Sequence, residues 1–378
     1  MDRHGPAAEA VVDLDAYTHN LAVLGEVARG AHVMAVLKAD AYGHGLLQCA
    51  RAARAHGVPW LGVTTIAEAL ALRTASDTGR ILCWLYPPGA DFASAVENDI
   101  DVTASSVEQL AEIEAKTAGS RPRIHLKVDT GMSRNGALND DWTQLVAAAS
   151  QAQRRGAIEV VGIWSHLACA DEPTHPSVGE QEDTFREAAV ELEATGIEPQ
   201  YRHLANSAAT LTRPSAHFDL VRVGIASYGL TPAPNVASAQ EYGLRPAMTL
   251  TARLANVKRI PAGSGISYGH TYVTDRDTTI GLVPVGYGDG VLRALSNRGT
   301  VWCAGARRRI LGRVCMDQFV IDLGDDAVDI GTTATLFGEG ADGEPTAQDW
   351  ADAGDTISYE IVTRIGGRIV RRHLGDDA

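Results

Sequence analysis

Lysine is scarce in this chain: of 33 basic residues among 378, only Lys38, Lys116, Lys127 and Lys258 are lysines, so arginine serves wherever a plain positive charge suffices. Cysteine is sparse as well. The five, at 49, 83, 169, 303 and 315, form no CxxC pair, which excludes a disulfide framework and suits a reducing compartment. A basic excess is missing, since the formal net charge is −14. Such a surface repels phosphate backbones and anionic lipid, and neither nucleic acid nor a membrane is an expected partner. No stretch approaches the roughly 20 apolar residues of a membrane span, and the opening MDRHGPAAEA lacks the apolar core of a signal peptide; the expected location is cytoplasmic. Neither HExxH nor a Cys/His cluster at ligand spacing occurs, so no metal is expected.

What is present is enough apolar material for a large core. Hydrophobic residues make up 45% of the chain, and at about 150 residues per domain two domains are the default. From residue 32 to about 230, eight short β-branched or apolar runs alternate with helical patterns: VMAVLKA, WLGVTT, ILCWLY, IDVTAS, IHLKVDTG, VVGIWSHLA, YRHLANSAA and LVRVGIASYGL. Trp142, Leu145, Val146 and Ala149 fall at helical spacing behind an Asp140 or Asp141 cap, and Phe185, Ala188, Ala189 and Leu192 repeat that spacing. Eight strand–helix alternations predict a closed (β/α)8 barrel of parallel strands. Beyond the Pro/Ala/Ser-rich TPAPNVASAQEYG the pattern turns to strands in MTLTARLANVKRI, TTIGLVPVGYG, RRRILGRVCMDQFVIDLG and TTATLFGE. The predicted division is a barrel over residues 1–236 and a mostly-β C-terminal domain over 237–378, ending in a frayed acidic LGDDA.

In a barrel of this kind the working residues stand at the C-terminal ends of strands. Lys38, Lys127, His166, Asn206, Ser207 and Arg222 all lie at or just beyond such an end. Lys38 and Lys127 close apolar runs, where burial disfavours the ammonium and frees the amine. In Lys38-Ala-Asp-Ala-Tyr42-Gly-His-Gly, a lysine before a glycine-flanked loop is placed for Schiff-base chemistry; spacing alone equally allows a lysine reaching out to the rim. Taken singly, Tyr268 reads as a packed strand tyrosine, Arg222 as a rim arginine paired with a carboxylate, and His166 as a satisfied core histidine. Gly338-Glu-Gly340-Ala-Asp-Gly343 fits GxGxxG, but its carboxylates and the missing second βαβ strand argue against dinucleotide binding.

The segment VLKADAYGHG resembles the pyridoxal phosphate attachment segment of the bacterial alanine racemases, pyridoxal phosphate enzymes of fold type III. The likeness continues from AVVDLDAYTHN through KVDTGMSRNG, HLANSAA, VRVGIASYGL, GISYGHTYV and GYGDG to RVCMDQ and ISYEIVTRIGGR. These blocks are specific in combination and order. The resemblance implies a pyridoxal 5'-phosphate enzyme that interconverts L- and D-alanine for peptidoglycan as a homodimer, its β-domain completing the partner's active site. Lys38 would hold the cofactor covalently and act as one catalytic base, with Tyr268 from the partner subunit as the other. Arg222 would face the pyridine nitrogen and leave it unprotonated.

By the same resemblance Ser207, the backbone near Gly224 and Ile225, and the hydroxyls of Tyr42 and Tyr359 would hold the phosphate, with His166 against the ring and Asn206 nearby. Arg134 and the backbone of Met316 would grip the substrate carboxylate, Tyr287 and Tyr359 would narrow its entry, and Lys127 would be carbamylated to orient Arg134. Asn135 and Ser227 depart from the usual family residues. Alternatives of the same chemistry are racemases of serine, lysine or broad range; less expected are a decarboxylase, which would leave the carboxylate ungripped, and a non-catalytic carrier of pyridoxal phosphate.

Overall fold

A computed structural model describes residues 6–375; Asp376 to Ala378 of the acidic end lie outside the described residues. Residues 18–41 and 46–244 form one compact unit, and residues 6–17, 42–45 and 245–375 form another.

The first strand is Ala8–Asp13 (β1). It is followed by the strands of the larger unit: His32–Val36 (β2), Trp60–Val63 (β3), Arg80–Cys83 (β4), Asp101–Ala104 (β5), Arg123–Lys127 (β6), Glu159–Trp164 (β7), Tyr201–His203 (β8) and Leu220–Val223 (β9). These eight are the eight runs read from the sequence. They pair in parallel in the order β8-β7-β6-β5-β4-β3-β2-β9, and the seam between β8 and β9 is bridged by Asp219 N–H to Arg202 O and Arg222 N–H to Ala205 O, both 3.0 Å. The (β/α)8 barrel is thereby nearly closed.

Helices cover the barrel for local reasons. Thr65 and Glu68 form a capping box at Ile66–Thr74, Ser106 caps Val107–Lys116, and Pro176 stands at the first position of Pro176–Ala194. Asp140 and Asp141 turn out to lie in the first turn of Asp140–Arg154; the cap position belongs to Asn139, whose side chain makes no capping bond. Both expected apolar stripes are buried.

The smaller unit carries a nine-stranded sheet. MTLTARLANVKRI is two strands, Met248–Arg253 and Asn256–Ile260. RRRILGRVCMDQFVIDLG likewise divides into Ala306–Leu311 and Phe319–Gly324, with Cys315 and Met316 in the connection. The expected boundary assigned residues 1–236 to the barrel, yet β1 lies in this sheet, antiparallel to Met248–Arg253 and parallel to Val370–Leu374. Its burial explains why. Ala8, Ala10 and Val12 are buried while Glu9, Val11 and Asp13 are half-exposed, the alternation of a sheet with one covered face, whereas barrel strands such as β3 and β9 are buried throughout.

Phe185 is fully buried and meets Phe218 edge-on at 4.9 Å. Phe185→Ala is expected to destabilise the barrel by about 3–5 kcal/mol, read as a lower urea midpoint by circular dichroism; an unchanged midpoint would contradict the packing.

Candidate active site at the C-terminal rim of the barrel

Lys38 lies two residues beyond the end of β2, and the backbone then does something L-residues avoid. Ala39, Asp40, Ala41 and Tyr42 have φ of 54°, 55°, 53° and 53°, one turn of left-handed helix at a cost of about 1–2 kcal/mol per residue. Local bonds impose it. Ala41 N–H donates to Leu37 O at 2.7 Å, Ala39 N–H to Glu68 Oε1 at 2.8 Å, and Leu46 N–H to Asp40 Oδ1 at 2.7 Å. The other Glu68 oxygen accepts the amides of Thr64 and Thr65 at 2.9 and 3.0 Å, so one carboxylate ties the residue after Lys38 to the end of β3. Gly43, at φ 81°, is obligatory because a Cβ there would stand 2.5 Å from Val362 O.

Around Lys38 the charges are mostly positive. Burial lowers the basicity of its amine, and Arg134 and Arg222 lower it further against the opposing pull of Glu68. Lys127 closes β6 with its Nζ 4.3 Å over the Trp164 ring; burial, then Arg222 and Arg134, bring it down to about 8. His166 is held well below its ordinary value by burial and by the four cations Arg222, Arg134, Lys38 and Lys127, and it is therefore a neutral ring. Arg134 is exposed on a loop fixed by Asp129, whose Oδ1 accepts the amides of Gly131, Met132 and Ser133 at 2.9–3.1 Å. The five residues thus share one electrostatic environment at the rim.

Arg222, on β9, is not paired with a carboxylate. Its NH1 donates to His203 O at 2.8 Å and His203 Nδ1 at 3.1 Å, and its NH2 to Ser165 O at 2.7 Å, Leu204 O at 3.1 Å and His166 Nδ1 at 3.3 Å. Burial brings it down to about 9, so it remains charged at neutral pH. All four terminal protons are engaged, and among the described residues its Nε–H alone has no protein partner. That one remaining donor suits an acceptor such as a pyridine nitrogen.

Ser207 opens the helix Ser207–Thr212, with Asn206 as its cap through Oδ1 to Ala209 N–H at 3.0 Å. Ser207 Oγ accepts the amides of Gly224 at 2.9 Å and Ala226 at 3.4 Å, leaving its own O–H to be offered outward. Ser227 Oγ donates to Gly224 O at 2.7 Å, so this departure from the family residue braces the Gly224–Ile225 turn. Asn135 makes no side-chain bond among the described residues and nothing in the structure explains it.

The remaining expected residues belong to the smaller unit. Tyr42 and Tyr359 face one another with ring centroids 6.2 Å apart, and burial raises the Tyr42 phenol, so it stays protonated and able to donate. Tyr268 is not packed in a strand: it is 73% exposed, on a turn fixed by Ser267 Oγ to Arg313 O at 2.7 Å. Tyr287 and Met316 are 39% and 55% exposed and are tied together, Tyr287 N–H donating to Cys315 O at 3.0 Å and Gly288 N–H to Met316 O at 2.9 Å. The GxGxxG segment has its amides occupied from within, Gly340 and Asp342 N–H donating to the Glu344 carboxylate at 2.8 and 2.9 Å.

Sequence reasoning missed Glu68, which looks like an ordinary capping residue, and the buried Asp101, His125 and His203. A signal existed for His125: strand alternation places it two residues before Lys127 on the same face of β6.

Models described as alanine racemase N-terminal and C-terminal domains match residues 12–232 and 247–373. The alanine racemase of Thermobifida fusca (strain YX) is 55% identical, the match covering 97% of this chain and 98% of that one. The crystal structure of alanine racemase from D-cycloserine-producing Streptomyces lavendulae superposes with a TM-score of 0.97 at 52% identity, over 99% of this chain and 98% of that chain. The alanine racemase of Bacillus anthracis with bound L-Ala-P superposes at 0.88 with 34% identity, over 98% of this chain and 95% of that chain.

An amine brought down to about 8 is mostly protonated below that pH and free above it. In CO2-free buffer, competitive acetylation of Lys127 is expected to rise through pH 8; mass-spectrometric peptide mapping checks this, and a rise only above pH 10 would contradict it.

Proposed function

This chain belongs to the alanine racemase family, and we propose that it interconverts L- and D-alanine as a cytoplasmic homodimer. The family depends on pyridoxal 5'-phosphate, and the residues at the rim fit that group: an amine whose basicity burial lowers, a charged arginine with one unpartnered Nε–H, and a serine hydroxyl braced by two amides. The observation that carries the reading is the convergence of Lys38, Lys127, Arg134 and Arg222 around a neutral His166. Such a surplus of positive charge calls for anionic ligands, here a phosphate and an α-carboxylate.

Bound there, pyridoxal phosphate acts as an electron sink that acidifies the substrate's α-proton. Lys38 Nζ would hold the cofactor covalently and would take or return the α-proton on one face. Tyr268 of the partner subunit does the same on the other face, its hydroxyl removing the proton from L-alanine while Lys38 delivers one; the roles reverse for D-alanine. Arg222 would face the ring nitrogen and, being charged at neutral pH, would donate to it rather than protonate it, which would weaken the sink and favour return of the proton over transamination. Ser207, the Gly224–Ile225 turn, Tyr42 and Tyr359 hold the phosphate, with His166 against the ring and Asn206 holding the Ser207 helix. Arg134 and the Met316 backbone of the partner grip the carboxylate, and Tyr287 with Tyr359 narrows the entry. Carbamylation of Lys127 converts a cation into an anion that orients Arg134. The D-alanine formed serves peptidoglycan synthesis.

Exposure of Tyr268, Tyr287 and Met316 on one well-braced set of turns supports a surface that a second copy covers. Borohydride reduction of the pyridoxal phosphate-loaded protein is expected to place the adduct on Lys38, and L-alanine is expected to lose optical activity without CO2 release. An adduct elsewhere, stable rotation, or faster turnover of L-serine or L-lysine would overturn the assignment. Tyr268→Phe should lose about 10²–10⁴-fold in turnover from L-alanine. Mixing the inactive Lys38→Ala and Tyr268→Phe chains should restore about a quarter of the activity, because half of randomly paired dimers carry one intact shared site; no recovery would place both groups in one chain. Intact mass spectra in bicarbonate buffer should show about 44 Da, one CO2, added at Lys127, and an unmodified lysine there would reject the carbamate.

A further inference from the structure

Barrel interiors are ordinarily filled by layers of apolar side chains. This one contains an ionised network that runs through it. Asp101 is the first residue of β5, His125 is central in β6, His203 closes β8 and Arg222 lies in β9; all four are buried. Asp101 Oδ2 lies 3.2 Å from His125 Nε2. His125 Nδ1 lies 2.9 Å from His203 Nε2, and His203 Nδ1 lies 3.1 Å from Arg222 NH1. Beneath, at the N-terminal ends of β4 and β6, Arg80 and Arg123 both donate to Asp101, Arg123 Nε at 2.6 Å.

The protons of this chain have one possible arrangement. A guanidinium only donates, so His203 Nδ1 must be the acceptor and its proton must sit on Nε2. That proton goes to His125 Nδ1, which puts the His125 proton on Nε2, where it meets an oxygen of Asp101. An ionised carboxylate only accepts, so reasoning from the lower end reaches the same tautomers. Burial alone would raise the Asp101 carboxyl, but His125, Arg80 and Arg123 together hold it below the ordinary range; burial keeps both imidazoles neutral. The rings are clamped, His203 stacked on Trp164 at 5.6 Å and 3°, His125 edge-on to Trp60 at 5.5 Å and 86°.

Gly162 on β7 gives independent support. Its φ lies outside the left-handed region, so its backbone does not require glycine, yet a Cβ there would stand 2.2 Å from His125 Nδ1. The neighbouring strand is cut back to hold this ring in this place.

We propose that Asp101, His125 and His203 are positioning residues: a one-directional hydrogen-bond relay that fixes the Arg222 guanidinium from beneath and neutralises its charge at the opposite rim of the barrel. The relay occupies Arg222 NH1 and thereby aims the Nε–H at the rim. This rests on the reading above that Arg222 faces the cofactor ring.

The first test needs no variant and no turnover. Long-range ¹H–¹⁵N spectra of histidine-labelled protein, with and without pyridoxal phosphate, are expected to show His125 and His203 both neutral with the proton on Nε2. A proton on Nδ1, or a doubly protonated ring, at either position overturns the relay whether or not the chain racemises alanine. The second test separates polarity from packing. His125→Gln can accept from His203 and donate to Asp101, whereas His125→Leu can do neither. His125→Leu is expected to shift the Arg222 Nε–H resonance and lower kcat for L-alanine by about 10-fold or more with KM little changed, the scale of losses on removing outer partners of site residues. His125→Gln is expected to retain the Arg222 resonance and most of kcat. Equal losses in both variants, or an Arg222 resonance unmoved in His125→Leu, would reduce the histidines to packing.

Discussion

A guanidinium inside a barrel is the constraint on which the rest of this site depends. Burying a charge is costly unless its donors are met, and the four terminal protons of Arg222 are met by three carbonyls and two imidazoles, with no carboxylate. The choice has electrostatic consequences. A direct carboxylate partner would cancel the field felt by Lys38, Lys127 and His166; with the carboxylate of this network two imidazoles away at Asp101, the field persists at the rim. Burial lowers the basicity of both lysine amines and of His166, and the Arg222 charge adds to that lowering in each.

Placement of Lys38 depends on a second, local constraint. Four consecutive non-glycine residues in the left-handed region are stable only where surrounding bonds over-determine them. Glu68 supplies the central bond while also capping a helix and closing the end of β3. A residue with three such attachments transmits the position of the barrel framework directly to the amide next to the reactive lysine.

Much of this was legible in the chain, and the exceptions have physical causes. The eight barrel strands read correctly because strands buried on both faces are short continuous apolar runs, and scarcity of lysine drew attention to Lys38 and Lys127. The strand β1 was misplaced because its partners lie hundreds of residues away, and pattern alone does not say which sheet an alternating strand joins. Glu68 escaped notice since its capping role is satisfied by sequence-local partners, while its bond to Ala39 depends on the neighbouring strand. His125 and His203 are far apart in the chain, and only the register of β6, β7 and β8 brings them together. Exposed Tyr268 was recoverable only through family likeness, for nothing in its spacing separates a solvent-facing tyrosine from a packed one.

The parallel pairing of β1 with Val370–Leu374 carries a consequence for biogenesis. On a ribosome the barrel strands emerge in order and can assemble as they appear, each next to its predecessor until β9 closes the ring against β2. The sheet holding β1 obeys a different schedule: its earliest strand must wait, unpaired, until Met248–Arg253 arrives, and it gains its second neighbour only when translation reaches the last strand of the sheet. An apolar edge left waiting that long is an aggregation hazard, and only two of β1's six side chains, Val11 and Val12, are larger than alanine and apolar, which gives a nascent chain little to stick to.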